Sequence, residues 1–299
     1  MDQDNHHCAP IALFAYNRLE HTRRTVEALR NNLLAEQSDL IVYSDGPKNE
    51  AAKTGVDEVR AYIRGINGFR SVRIVERSRN FGLAKSIISG VTGIVNARGT
   101  VIVFEDDLVT SPYFLTYMNE ALKFYVYEKR VVSIHGYSYP VNKNLPETFF
   151  IRGADCWGWA TWKRGWDFFR PEGAKLLQEL EARNLTEEFD FGRSYGFTAM
   201  LRAQIAGKND SWAVRWYASA FLADRLTLYP GISLVDNIGH DTTGTHSKQS
   251  EKYRSPVSER KIDIRTIPLE ENIQAKKIFS DYLRGPRKSF FEKIKSLFS

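Results

Sequence analysis

Cysteine is scarce in this chain: 299 residues carry two, Cys8 and Cys156. Neither belongs to a C-x-x-C pair, which argues against a thiolate zinc site and against a disulfide scaffold. Long apolar runs are also missing, and no window reaches transmembrane length. The opening Met1-Asp2-Gln3-Asp4-Asn5 lacks the basic start and apolar run of a secretory signal. A cytoplasmic location is therefore expected. The turn after the first apolar segment has no G-x-G-x-x-G, so a dinucleotide site is disfavoured there. There is no internal repeat and no low-complexity tract. Aromatic residues are plentiful at 13%, but no RNA- or DNA-binding signature accompanies them, so nucleic acid is not an expected partner.

What is present is enough for a sizeable core. At 42% hydrophobic and 26% charged, the chain suits one large domain or two small ones, and disorder is excluded for most of it. A formal net charge of +6 admits an anionic substrate or membrane surface.

Strand and helix alternate through the first hundred residues. PIALFAY (10–16) reads as a strand. Asn17 then stands as a helix cap, with Glu20 three residues on as in a capping box. Leu19, Thr22, Val26, Leu29 and Leu33 fall on one helical face. LIVYS (40–44) is a second strand, stopped by Asp45-Gly46-Pro47. A helix over 50–64 and a third strand over 72–75 follow. The polar loop Ser78-Arg79-Asn80-Phe81-Gly82 leads into a helix with Ile87, Ile88, Val91, Ile94 and Val95 at helical spacing. This alternation specifies a parallel sheet with right-handed crossovers. Beyond residue 108 the order changes. Helices are expected over 112–127, 196–205 and 212–223, and short strands over 131–134, 149–152, 226–229 and 233–238. Between them lies a stretch dense in tryptophan, from Trp157 to Trp166.

The organising stretch is Thr100-Val101-Ile102-Val103-Phe104-Glu105-Asp106-Asp107. A buried β-branched strand delivers three carboxylates at its carboxyl end, where open α/β sheets bind ligands. Adjacent acids repel one another unless a cation neutralises them, and a divalent metal holding a phosphate-bearing substrate does so most simply. A solvated acidic turn is the plain alternative.

Taken in order, Tyr16-Asn17, Asp45-Gly46, Asn80-Phe81-Gly82 with Lys85, and Glu105-Asp106-Asp107 resemble the GT-A nucleotide-sugar glycosyltransferases, including bacterial family 2-like enzymes. The acidic triplet is similar to that family's D-x-D motif, in the form it takes in N-acetylglucosaminyltransferase I. Cys156-Trp157-Gly158-Trp159 and Asp210-Ser211-Trp212 are similar to later segments of that enzyme. The resemblance spans residues 10 to about 247. It implies an α/β GT-A fold, with a Rossmann-like nucleotide-sugar half (about 9–108) joined to a loop- and helix-rich acceptor half (109–250). The whole forms one domain over 1–270, followed by a tail over 271–299.

Roles follow from the same resemblance. Asp107 is implied as ligand of Mn²⁺ or Mg²⁺, with Asp106 on the metal, its water or the ribose, and Glu105 on sugar hydroxyls or serving as a capping carboxylate. Asp45 meets the base or ribose, or closes an Asx turn. Asn80 reaches the base and Lys85 the diphosphate, and Tyr16 and Asn17 frame the base. Asp210 is implied as the base that deprotonates the acceptor, its carboxylate desolvated by Trp212; Asp155 competes for that role. Trp157 and Trp159 stack on sugar, with Gly158 letting the ligand approach. His246 closes on metal or diphosphate, and the part played by His240 stays open. The implied activity is inverting, metal-dependent transfer from a UDP-sugar, UDP-GlcNAc first, to a glycan or lipid-linked acceptor. Phe290, Phe291, Ile294, Leu297 and Phe298 with Lys288, Lys293 and Lys295 form a basic amphipathic pattern. It suits the inner surface of a membrane or a packed helix equally. A sugar nucleotidyltransferase needs a Gly-rich phosphate loop after the first strand, and Ala15-Tyr16-Asn17-Arg18-Leu19 offers none. A non-catalytic sugar-binding module needs neither the acids nor a base.

Overall fold

A computed structural model describes residues 8–241 and 250–285. Along the chain run β1 (Ile11–Ala15), α1 (Leu19–Arg30), β2 (Asp39–Ser44), α2 (Lys53–Ile63), β3 (Ser71–Glu76), α3 (Leu83–Arg98) and β4 (Thr100–Glu105). These are followed by β5 (Leu108–Thr110), α4 (Phe114–Phe124), β6 (Val131–His135), β7 (Thr148–Arg152), β8 (Trp159–Trp162) and the short α5 (Lys163–Trp166). The rest comprises α6 (Gly173–Ala182), α7 (Thr186–Phe189), α8 (Phe197–Ile205), α9 (Trp212–Leu222), β9 (Leu226–Pro230), β10 (Val235–Asn237) and α10 (Ile273–Arg284).

The eight-stranded sheet has the order β3-β2-β1-β4-β8-β6-β9-β7. Its first four strands are parallel, β8 runs against β4 and β6, β9 lies parallel to β6, and β7 closes the far edge antiparallel to β9. Burial of both faces explains why β1 and β4 read as continuous apolar runs. In β1, Ile11, Leu13 and Ala15 face the core beneath α1, α2 and α4. Ala12 and Phe14 face the opposite core, with Ile87, Val91 and Ile94 of α3 and Trp212 and Trp216 of α9. A third core gathers α6, α8, α9 and α10 over β7.

The register places the site. Phe14 pairs with Glu105, so β1 and β4 end side by side. Residues leaving β1 therefore run past the acidic triplet.

Two expectations are corrected, and two strands appear where none was expected. Arg18, not Asn17, occupies the cap position of α1, and it makes no side-chain cap bond. Helix α1 stops at Arg30, so Leu33 drops off its apolar face and is 63% exposed. β8 emerges from within the tryptophan-rich stretch as a central strand, too short to show a period. β5 begins directly after the triplet and pairs with β10, where the sequence shows only an end to the acidic cluster. The segment after residue 270 also begins inside the body. Asn272 donates its amide to the Phe150 carbonyl and caps α10, and Phe279 packs edge-on against Tyr139 and Phe149. Residues 286–299, with the basic amphipathic pattern, lie outside the described residues.

Candidate active site

Three carboxylates at one strand end demand counter-charge, and Arg18 supplies it. Its Nη2 lies 2.6 Å from Asp106 Oδ1 and 2.8 Å from Asp107 Oδ2. Asp106 is buried, and its other oxygen accepts the Tyr16 amide at 3.3 Å. Burial pushes the Asp106 carboxyl up while Arg18 pulls it back. Burial by itself would lower the guanidinium of Arg18, but the two acids outweigh it and the net shift is upward. Sequence reasoning left Arg18 out. The available signal was strand order: a cation three residues past β1 must meet acids that end the neighbouring β4.

The triplet divides its work. Glu105 turns to the α3 and α9 side, where Trp212 is close enough to pull its pKa down slightly. Burial, followed by Asp107 and Asp106, raises its pKa to about 8. Of the two aspartates Asp107 is the more open to solvent, with a side chain 18% exposed against 8% for Asp106. Its carbonyl accepts the Ile238 amide at 2.9 Å, and its carboxylate lies flat against Gly239. A Cβ on Gly239 would fall 2.1 Å from Asp107 Oδ2. His240 follows, its ring beside Trp157 and Tyr253, its Nε2 buried without a hydrogen-bond partner, and its pKa lowered by burial against the pull of Asp107.

The remaining expected residues fall into three groups. Asp45 is buried, and its oxygens accept the amides of Gly46, Phe81 and Gly82 at 2.9–3.0 Å. Asn80 donates to the Gly46 carbonyl at 2.8 Å. Both bind the β2 and β3 loops to each other. Tyr16 and Asn17 are half-buried at the β1 end, and the Tyr16 hydroxyl accepts the Lys48 amide. Lys85 is exposed, with its ammonium 4.9 Å from the Phe81 ring centre.

The tryptophans depart from expectation. Trp159 is fully buried against Trp166, Trp212 and Trp216, so it is core and cannot stack on a sugar. A Cβ at Gly158 would meet Val235 at 2.8 Å, so its smallness serves packing instead of ligand approach. Its φ of +66° gives a second reason for glycine there. Trp157 alone of the pair is half-exposed, edge-on to Tyr137.

Asp210 is 65% exposed, so Trp212 does not desolvate it. Ser211 caps α9 through the Val214 amide. The Asp210 carboxylate stands by Gly82 at the start of α3, 3.5 Å from the buried Arg215. With Lys85 and Ser89 these two line a groove of about 600 Å³. Asp155 is placed otherwise. It accepts the Tyr229 hydroxyl at 3.2 Å and the Cys156 amide at 2.8 Å, with the buried His135 3.8 Å away. His246 lies outside the described residues.

Among the described residues no three His, Cys, Asp or Glu side chains form a ready cage for a metal ion. Hard cations that bind through substrate phosphates need one or two protein carboxylates, and Asp107 backed by Asp106 meets that requirement.

With the geometry in place, the family model of glycosyl transferase family 2 matches residues 11–188, which covers β1 through α7. The chain belongs to glycosyl transferase family 2. It is therefore a glycosyltransferase of the GT-A kind, and its mostly parallel sheet with helices on both faces is the arrangement expected of that class. Among solved structures, TarS of S. aureus shares 12% identity at a TM-score of 0.31. The match covers 48% of this chain and 24% of TarS, so the chain spans about a quarter of that protein's length. The mannosyltransferase PcManGT of Pyrobaculum calidifontis, solved with GDP-Man and Mn²⁺, shares 8% identity at a TM-score of 0.38, over 72% of this chain and 69% of that one. Curated proteins give no significant match. No helix among the described residues of this glycosyltransferase is long and apolar enough to cross a membrane.

Proposed function

We propose that this family 2 enzyme is an inverting, metal-dependent transferase that moves a sugar from a nucleoside diphosphate donor to an acceptor hydroxyl. Tyr16, Asn17 and the loops held by Asp45 and Asn80 form the nucleotide side. Asp107, with Asp106 behind it, is the carboxylate offered to a divalent cation, which when bound neutralises the diphosphate leaving group. The observation that carries the reading is the place of Asp210: its carboxylate stands by Gly82, whose amide is held by Asp45, so the start of α9 meets the loops of the nucleotide side.

In a single displacement the base must stand across the anomeric carbon from the leaving group. Asp210 is that base. It is open to solvent, so an acceptor can reach it, and Arg215 orients its carboxylate. Asp155 is already committed to Tyr229 and Cys156 and holds the wall near Trp157. Glu105, whose carboxyl is raised by burial and by Asp107 and Asp106, faces the donor sugar and hydrogen-bonds its hydroxyls. A UDP-sugar, UDP-GlcNAc first, is the donor, and a glycan or lipid-linked intermediate of bacterial surface polysaccharide is the acceptor. The proposal includes a cytoplasmic location, with residues 284–298 touching the inner membrane.

Asp210→Asn tests it. The variant should bind nucleotide with wild-type affinity and lose about 10²- to 10⁴-fold in transfer rate, the range for removing a general base. Transfer at the wild-type rate would remove Asp210 from the role.

A further inference from the structure

The bridge made by Arg18 leaves something over. One of its terminal nitrogens, Nη2, serves both Asp106 and Asp107, while the other, Nη1, is buried with no hydrogen-bond partner. A buried guanidinium N–H without an acceptor is rare and asks for an acceptor that is not part of the protein. The planar fork suits one class of ligand, since paired N–H groups match phosphate oxygens. We propose that Arg18 is the resident counter-cation of the acidic pair, and that it couples the binding of nucleoside diphosphate to the binding of a divalent cation. The inference rests on reading this strand end as the donor site.

Charge counting gives the reason. Two carboxylates and one guanidinium leave a single negative charge uncompensated. A divalent cation arriving alone must displace Arg18 from the oxygens it needs and then sit beside a stranded guanidinium. A diphosphate arriving alone meets two carboxylates with only one cation between them. When both arrive, the two added positive charges offset the two on the diphosphate of a nucleotide sugar, and the charge of the site does not change. Arg18 then turns its fork to the phosphates as the cation takes Asp107. Each ligand thereby raises the affinity for the other, and the factor must be the same in both directions.

The test uses Mn²⁺ alone and Mn²⁺ with UDP, GDP, CDP or dTDP in turn, with binding read by calorimetry and by the resonance signal of free Mn²⁺. Wild-type protein should bind Mn²⁺ weakly alone and about tenfold more tightly with its cognate nucleotide. Arg18→Gln should bind Mn²⁺ alone about tenfold more tightly than wild type and lose most of the nucleotide-dependent gain. Arg18→Lys, which keeps the charge without the fork, should keep Mn²⁺ alone weak yet bind nucleotide poorly; melting curves check that each variant folds. If wild type binds Mn²⁺ and nucleotide as the donor-site reading requires, but Arg18→Gln leaves Mn²⁺ affinity within twofold, the coupling role of Arg18 is wrong and the donor site stands. If wild type binds neither, the donor-site reading falls and this inference with it.

Discussion

Gly239→Ala isolates the position of Asp107 from its chemistry. The glycine has no left-handed φ, so alanine is conformationally acceptable there. Its new methyl, however, would lie 2.1 Å from Oδ2, 2.7 Å from Cγ and 3.1 Å from Cβ of Asp107. Nonbonded carbon and oxygen need at least about 1 Å more than the shortest of these. The backbone cannot yield easily. Ile238 donates to the Asp107 carbonyl, and β5 and β10 pair on the far side of both residues. The Asp107 side chain must therefore rotate away, which breaks its bridge to Arg18. Displacing a positioning group by about 1 Å costs about 10²-fold in rate, whereas the fold should lose little because Asp107 is not core. Initial rates of donor turnover, measured beside a thermal melt, give the two numbers. A variant with a wild-type melt and kcat/KM within threefold of wild type would refute the argument that Gly239 sets the carboxylate.

The other predictions concern ionisation and the loop frame. The folded-state pKa of Glu105, about 8, lies above the ordinary 4.5 because burial and its two acidic neighbours oppose ionisation. The folded state thus favours the proton, and stability present in full below pH 4.5 declines as pH rises through 8, by up to about 1.4 kcal/mol per pH unit. Glu105→Gln should flatten that slope in denaturant titrations at pH 5 and pH 8.5; equal slopes would sink the assignment. Asp39 goes the other way. Bonds from Arg70 hold its carboxyl at about 2, so its contribution is present above about pH 4 and lost as pH falls through 2. Asp39→Asn should cost about 1–2 kcal/mol at neutral pH and remove that acid-side loss. Asp45→Ala leaves the Phe81 and Gly82 amides without their acceptor. It should lower stability by about 2 kcal/mol and raise the donor KM, and an unchanged melt would show that water satisfies both amides.

The parallel half of the sheet was legible because β1, β2 and β4 are buried on both faces, the edge strand β3 is short and β-branched, and amphipathic helices with apolar residues at helical spacing separate them. β8 was not legible. Four residues cannot display a period, and its neighbours in the sheet, β4 and β6, are distant in sequence. The acidic triplet could be read as a site, but its partner could not. Arg18 looks like any surface arginine until Phe14 is known to pair with Glu105. Trp159 and Gly158 misled for a related reason. A Trp-Gly-Trp run has the composition of a sugar platform, and only the arrival of α9 shows that Trp212 and Trp216 have taken the Trp159 ring into the core. Asp45 was located correctly at the end of β2. Its two oxygens are occupied by a loop brought alongside only when β3 pairs with β2.

The tryptophan cluster has an optical consequence. Trp212 stacks on Trp159 with ring centres 5.5 Å apart, and Trp159 and Trp216 both contact Trp166. Indoles this close exchange excitation, so the four emit as a group. One member, Trp212, acts electrostatically on Glu105, at the edge of the acidic site. Any event that changes the charge or position of Glu105 alters the field on that indole and hence the emission of the whole group. Occupation of the site should be visible in native fluorescence, without a label.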